Sequence, residues 1–411
     1  MAVFGYVFPI LLILIIVRYI QLKRSIKGRK YDYTYYEDGP YGERPKKPTT
    51  WIGKLKKALG FKYYSWLFVL VLTQTACDKT IDDTEKGDYQ TGIFCINEGV
   101  FGQTSGTISH YNPATKMATA KIFNQANSRD LGNVVQSLHL EEELAYIVVN
   151  NADKIEVVAA STFVEMAQIT GLAQPRYLVT DGQKGYVSQW GADGLSGSIG
   201  VLDLDNNTVA TTIAVGKGPE EILLHQEELY VPLIGGYDSD NKVVVLSTNT
   251  QQITHTITVG DKPSRCIADR SGQIWVLCGG KTVYTTYPTI DFSASTSSVL
   301  IQLDANNKTV VFRKDFGVGK SATNFTYNAA DDLFYYTREN QIWEYNPATS
   351  QERAIAQGQF YGMDFNPNDQ HIYATSNSGI DAAQAKKYTL EGLLVDSFSV
   401  GVFANGFEFL H

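Results

Sequence analysis

From about Thr91 to the C-terminus, short apolar runs of strand length alternate with turn-forming clusters, and no helix is required anywhere in this stretch. The runs repeat. Residues Gly197 to Leu233 carry the same order of apolar and polar positions as Lys242 to Leu277, and Lys154 to Val187 carries it once more. Pro175, Pro219 and Pro263 mark equivalent points and are spaced by 44 residues each time. A period of about 40–45 residues built from short strands is the mark of propeller blades.

Each unit reads as four strands. Val201-Leu202-Asp203-Leu204 is one, Asn206-Asn207 turns the chain, and Val209 to Val215 alternates as a half-buried edge strand. Gly216 to Pro219 connects to the next blade. Ile222-Leu223-Leu224 is the short apolar strand of the crowded centre, with proline at its start where no ladder donor is needed. Leu229-Tyr230-Val231 follows it. Weaker copies are Thr107–Tyr111 with Met117–Phe123, Val299–Leu303 with Thr309–Phe316, Gln341–Tyr345 with Glu352–Ala356, and Lys387–Leu390 with Leu394–Val400. That makes seven. The chain ends on a central-strand pattern, Gly406 to Leu410, and the repeats open on Gly92 to Ile96, the strand that normally follows a central one. The expected fold is therefore all-β: a seven-bladed β-propeller of four-stranded blades, closed by N- and C-terminal strands sharing a blade, and preceded by N-terminal hydrophobic segments. Such closure removes the open edges of the ring.

Charge divides the chain. Residues 1–76 hold 13 Lys and Arg against 4 Asp and Glu, whereas residues 77–411 hold 22 against 39. The acidic body excludes nucleic acid as a partner, since that needs a basic footprint. Residues 1–20 form a hydrophobic segment, readable as a transmembrane helix or as the product of a mis-assigned start, and 21–62 a basic linker. Residues 63–77 combine preceding lysines, about ten apolar residues and the small pair Thr75-Ala76 before Cys77. This resembles a bacterial lipoprotein signal in which Cys77 is lipidated, although Gln74 stands where Leu is usual. The alternative is an uncleaved anchor. Residues 78–90 then read as an acidic tether and 91–411 as the propeller. Either reading attaches the protein to a membrane in the cell envelope. The lipoprotein reading favours the outer membrane or cell surface over the periplasmic side of the inner membrane.

In a propeller, the loops between blades and those between second and third strands share one face. That face is expected to present Arg176, Tyr177, Glu220, Arg265, Asn324, Tyr361 and Asn405 around the channel, with Trp190 and Tyr237 on neighbouring loops. Glu98, Phe101 and Arg338 join them, and the longest insertion, Gly279 to Ser298, adds Tyr284, Tyr287 and Phe292. Aromatics mixed with amides and a few charges suit a polar ligand with a flat apolar part. Of the adjacent pair Glu220-Glu221, strand alternation lets at most one side chain face the channel.

Catalytic readings find less support. The six histidines are scattered, none pairs with another His or Cys at metal-ligand spacing, and His139 and His225 sit in central-strand contexts. No nucleophile elbow, zinc-protease motif or phosphate loop occurs. No catalytic residue, metal site or cofactor is expected. Cys266 and Cys278 flank a turn; they read as small core residues, a disulfide between them being the alternative.

The segments Val201-Leu202-Asp203, Thr212-Ile213, Val215-Gly216…Pro219 and their parallels Thr256-Ile257 and Val259-Gly260…Pro263 resemble the YVTN-type repeats of the surface-layer and YncE-like propellers. Ile96-Asn97-Glu98-Gly99…Phe101-Gly102, Asp130-Leu131-Gly132 and Val148-Val149-Asn150-Asn151 resemble more specifically a Bacteroidetes subgroup of lipoprotein propellers. That resemblance implies a surface protein that captures a small-molecule ligand, in some members a corrinoid, for a TonB-dependent outer-membrane transporter. A protein-docking or surface-layer scaffold is the second reading, and a metal-dependent lyase or lactonase the third.

Overall fold

The computed structural model describes residues 87–376 and 379–410. The two N-terminal hydrophobic segments, the basic linker, Cys77 and most of the acidic tether lie outside the described residues. Within these, seven four-stranded antiparallel sheets and one two-stranded hairpin hold all the strands. The innermost strands touch one another in cyclic order and return to the start, so the sheets are blades around a closed ring.

Blade 1 combines the two ends of the ring. Ile93–Asn97 lies between Thr107–Asn112 and the last strand, Ala404–Phe409, with Ile93 opposite Phe409 and Cys95 opposite Phe407. Blades 2 to 7 follow in chain order over residues 135–169, 175–214, 219–258, 263–318, 322–357 and 360–399. The proline positions behave as the sequence predicts. Pro175 and Pro263 open inner strands, Pro219 bridges Leu233, and Ala322 opens the strand where proline is missing. Outer hairpins are set by short polar side chains: Asp203 accepts from the backbone N–H of Asn206, and Asn112 from that of Ala114. Between blades, apolar side chains interdigitate in separate clusters. One joins Tyr186, Ile199 and Val201 of blade 3 to Val231, Val244 and Leu246 of blade 4.

Every inner strand carries an irregularity near its start. In blades 2, 3, 5, 6 and 7 the register against the second strand shifts within the first five residues, and in blade 1 Ala404 faces Asn97 while Gly406 faces Ile96. In blade 4, Pro219 faces Leu233 and Leu223 faces Tyr230, so one residue is extra on the inner side. These are β-bulges, which bend a strand and turn consecutive side chains toward the same side.

The structure departs from the sequence reading in the outer part of blade 1. The strand expected over Met117–Phe123 stops at Thr119, and Ile122–Asn127 is a short helix. A strand would have sent Ile122 and Phe123 to opposite faces. The helical turn buries both completely, in one cluster with Leu131 and Phe163. Tyr89, at the end of the acidic stretch, packs on blades 1 and 2. The Tyr89 N–H donates to the Ser161 carbonyl at 3.0 Å, and its ring packs edge-on against Phe94 and Phe163. Cys266 and Cys278 do not face each other, since Cys266 opposes Val276 and Cys278 opposes Pro263. Both are buried and free, and burial pushes both thiols well up. The insertion 279–298 folds back as the hairpin Tyr284–Thr286 and Thr289–Ile290, with Tyr287 80% exposed at its tip.

Candidate functional site: a polar mouth over a charged channel cavity

The bulges decide which side chains reach the ring centre. In blades 1, 2, 4, 5 and 6 the second and third residues of the inner strand both line the channel, among them Glu220 with Glu221 and Gln136 with Ser137. The expectation that only one of the two glutamates could do so fails, because it assumed regular alternation.

The two glutamates look opposite ways around the ring. Glu220, 6% exposed, takes the guanidinium of Arg176 from blade 3 through two hydrogen bonds of 2.6 and 3.2 Å. The Trp190 indole N–H donates to the same carboxylate at 3.1 Å, and the Arg176 guanidinium lies 4.4 Å from the Trp190 ring centre. A forked guanidinium, a carboxylate and an aromatic face thus fix one another. Tyr237 stands perpendicular to Trp190 at 5.8 Å, is 68% exposed, and donates to Gln174 at 3.0 Å. Arg176 also donates to Gln136, whose amide donates to the Tyr177 hydroxyl at 3.2 Å. On the far side, Asn405 donates to Glu98 and to the Gln136 carbonyl, both at 2.9 Å, and the Tyr361 hydroxyl donates to Glu98 at 2.9 Å. A nearly continuous belt of hydrogen bonds therefore borders the mouth.

Beneath it lies a cavity of about 310 Å³ lined from all seven blades. Glu221 pairs with Arg265 of the next blade at 2.8 Å, and Arg265 reaches across to Asp364 at 3.2 Å and to the Phe325 carbonyl at 2.8 Å. Glu408, on the closing strand, completes the charged group. Burial pushes the Glu221 carboxyl up to about 7, against the pull of Arg265. Burial and then the charge of Asp364 push Glu408 up to about 8. Burial likewise raises Asp364 and Glu98 above the usual carboxylate range. His139 borders the same cavity, bonds to the Thr180 hydroxyl at 2.9 Å, and is held below its usual value by burial.

The structure gathers part of the expected set here, whereas Arg338 bonds to Glu352 within its own blade and Phe101, Tyr284, Tyr287 and Phe292 are exposed. Tyr177, Glu220, Arg265, Asn324 and Asn405 line the cavity. Arg176, Trp190 and Tyr361 are bonded at its mouth, and Tyr237 packs on Trp190. Asn324 is the least engaged, its amide donating to Thr337 within its own blade. Sequence reasoning missed Gln136, Asp364 and Glu408. Alignment of the inner strands by their first residues would have found them, but their strands lack the proline that marks the register. Among the described residues, no group of three or more His, Cys, Asp or Glu side chains is placed to hold a metal ion, and no helix is long and apolar enough to cross a membrane.

Fold and site together define a seven-bladed propeller with a roofed, charged cavity at the ring centre. The chain belongs to the family described as "Domain of unknown function (DUF5074)", whose match covers residues 91–393. No curated protein matches it. Among solved structures it is similar to a quinonprotein alcohol dehydrogenase-like protein from Bacteroides thetaiotaomicron, at 13% identity and TM-score 0.57, over 79% of each chain. It is also similar to a protein from Lactobacillus plantarum, at 13% identity and TM-score 0.55, over 78% of this chain and 100% of that one. Hydrazine synthase from Kuenenia stuttgartiensis matches at 17% identity and TM-score 0.53, over 64% and 85% of the two chains. At such identities the likeness shows the fold alone, because one fold carries many chemistries.

Proposed function

We propose that this protein is a ligand-binding propeller of the cell envelope rather than an enzyme, and that the channel mouth is its binding surface. One observation carries the reading: at the channel mouth the Arg176–Glu220 pair is held by the Trp190 ring and indole N–H, and Tyr237 packs edge-on against Trp190. Side chains that fix one another in this way form a rigid recognition surface. A flat apolar group would rest on the aromatic pair while polar groups meet the belt. The cavity volume is at the low end for enclosing a drug-sized molecule. A corrinoid would therefore sit on the face, with only an arm entering the channel.

The subgroup resemblance supports the corrinoid and the handover to a TonB-dependent transporter. The Cys77 motif supports lipid attachment and a cell-surface location. The second reading, a protein-docking scaffold, draws on the exposed hairpin with Tyr284 and Tyr287 and on exposed Phe292 and Phe101.

The test is a thermal-shift screen of the purified full-length chain against corrinoids, haem and glycans. A ligand at 100 times its Kd stabilises the folded state by about 2.7 kcal/mol, a shift of several degrees. That shift should vanish in Trp190→Ala and Arg176→Met. No shift with any compound would sink nutrient capture and leave the docking scaffold.

A further inference from the structure

The third residue of six inner strands lines the cavity, namely Ser137, Tyr177, Glu221, Arg265, Asn324 and Gly406, and the seventh is Gly362. Among the six, Gly406 alone brings no side chain to the layer. Packing explains Gly362, because a Cβ there would lie 2.5 Å from the backbone of Asn405. Nothing of the kind explains Gly406. Its φ lies outside the left-handed region, and a Cβ would meet nothing closer than the Asp364 carboxylate at 3.5 Å, an ordinary contact. A strand glycine that neither conformation nor packing demands leaves room for something to approach.

What borders that room is unbalanced. Glu221, Asp364 and Glu408 share a single guanidinium, that of Arg265. Glu408 lines the cavity and accepts no hydrogen bond among the described residues. Three carboxyls facing one guanidinium, one of them without a side-chain partner, favour a ligand that is positive and carries N–H donors.

We infer that the channel interior, beneath the Arg176–Glu220 mouth, binds a small organic cation carrying an ammonium or amidinium group. Glu408 is its counter-ion and Gly406 makes its room. A metal ion fits less well, since among the described residues the carboxylates are not grouped to ligate one. This site stands on the channel interior and does not depend on the mouth reading.

Binding also exchanges protons. The charged and titratable groups sharing the cavity with Glu408 are Asp364 on blade 7, Arg265 on blade 5, Glu220 and Glu221 on blade 4, Tyr177 on blade 3 and His139 on blade 2. With Glu408 up to about 8 and Glu221 up to about 7, protons hold back part of the carboxyl charge around Arg265 at neutral pH. An entering ammonium takes the place of the Glu408 carboxyl proton, which leaves to solvent as the carboxylate forms.

Titration calorimetry on the full-length chain tests this with methylammonium, butane-1,4-diammonium and guanidinium chlorides, and with calcium chloride as the metal arm. At least one organic cation should bind. Its affinity should rise about tenfold per pH unit between pH 6 and 8, with a buffer-dependent heat that reports proton release. Glu408→Gln and Gly406→Leu should each weaken binding at least tenfold. Gly406→Ala serves as the milder filling if the leucine variant misfolds. Val311→Ala, on an exposed outer strand away from the channel, should leave the affinity unchanged. The inference is overturned by no binding of any organic cation from pH 6 to 9. It is also overturned by binding that Glu408→Gln and both Gly406 variants leave intact, or by calcium binding that excludes the organic cations.

Discussion

Glu408→Gln should stabilise the protein, and increasingly so toward alkaline pH. Gln keeps the shape of the side chain and cannot ionise. In the folded ring, burial and the Asp364 charge push the Glu408 carboxyl up to about 8 from an ordinary 4.5. The displacement corresponds to about 5 kcal/mol, at 1.36 kcal/mol for each tenfold in the ionisation constant. The sign follows from proton binding. Between the two pKa values the folded state holds a proton that the unfolded state has lost, so stability falls as pH rises. Below pH 4.5 both states are protonated, and glutamate and glutamine are nearly equivalent. Above pH 8 both are ionised and the penalty is complete. The variant's advantage should therefore be about 1 kcal/mol at pH 5 and approach about 5 kcal/mol at pH 9, with solvation of the cavity reducing the upper figure. Urea unfolding of the full-length chain and of the variant, followed by tryptophan fluorescence between pH 5 and 9, reads the difference. A constant offset across that range would refute the reasoning, as would a variant less stable than the parent at pH 9.

Other parts of the ring offer independent checks. Glu156 is fully buried and held by Arg129, Lys154 and Gln168, so Arg129→Met should cost about 3 kcal/mol in urea unfolding by stranding part of that charge. The Glu156 carboxyl lies below its ordinary value: burial opposes this, but Arg129, Lys154 and Gln168 outweigh it. Its contribution is thus present above the unfolded-state pKa of about 4.3 and lost as pH falls below it, and Glu156→Gln should blunt acid unfolding. Phe407→Ala removes a buried ring that packs on Tyr373 in the closing strand, and should lower stability by about 3–5 kcal/mol with an earlier thermal midpoint. Gly362→Ala should destabilise by about 1–3 kcal/mol through collision with Asn405, whereas Gly406→Ala should stay within about 0.5 kcal/mol of the parent. Equal effects of the two glycine substitutions on the melting temperature would contradict the difference in their surroundings.

The pattern of the chain determined much of this protein. Blade count and boundaries followed from apolar runs repeating every 44 residues around Pro175, Pro219 and Pro263, because each strand must bury one side and each turn needs its own residues. Closure by the terminal strands followed from an unpaired central-strand pattern at 406–410. Part of the site was legible because loops on one face of a ring must gather around its axis.

Only the tertiary structure decided how those residues combine. Arg176 meets Glu220 across 44 residues, Arg265 meets Asp364 across 99, and Tyr361 meets Glu98 across 263. No local periodicity encodes such distances. The bulges that turn Glu220 and Glu221 both inward, and the helical turn that buries Ile122 with Phe123, answer to crowding at the axis and between blades. The ionisation of Glu221 and Glu408 was likewise beyond the sequence, since a carboxyl's pKa depends on what surrounds it in space, and closing the ring removes these two from bulk water beside one shared arginine.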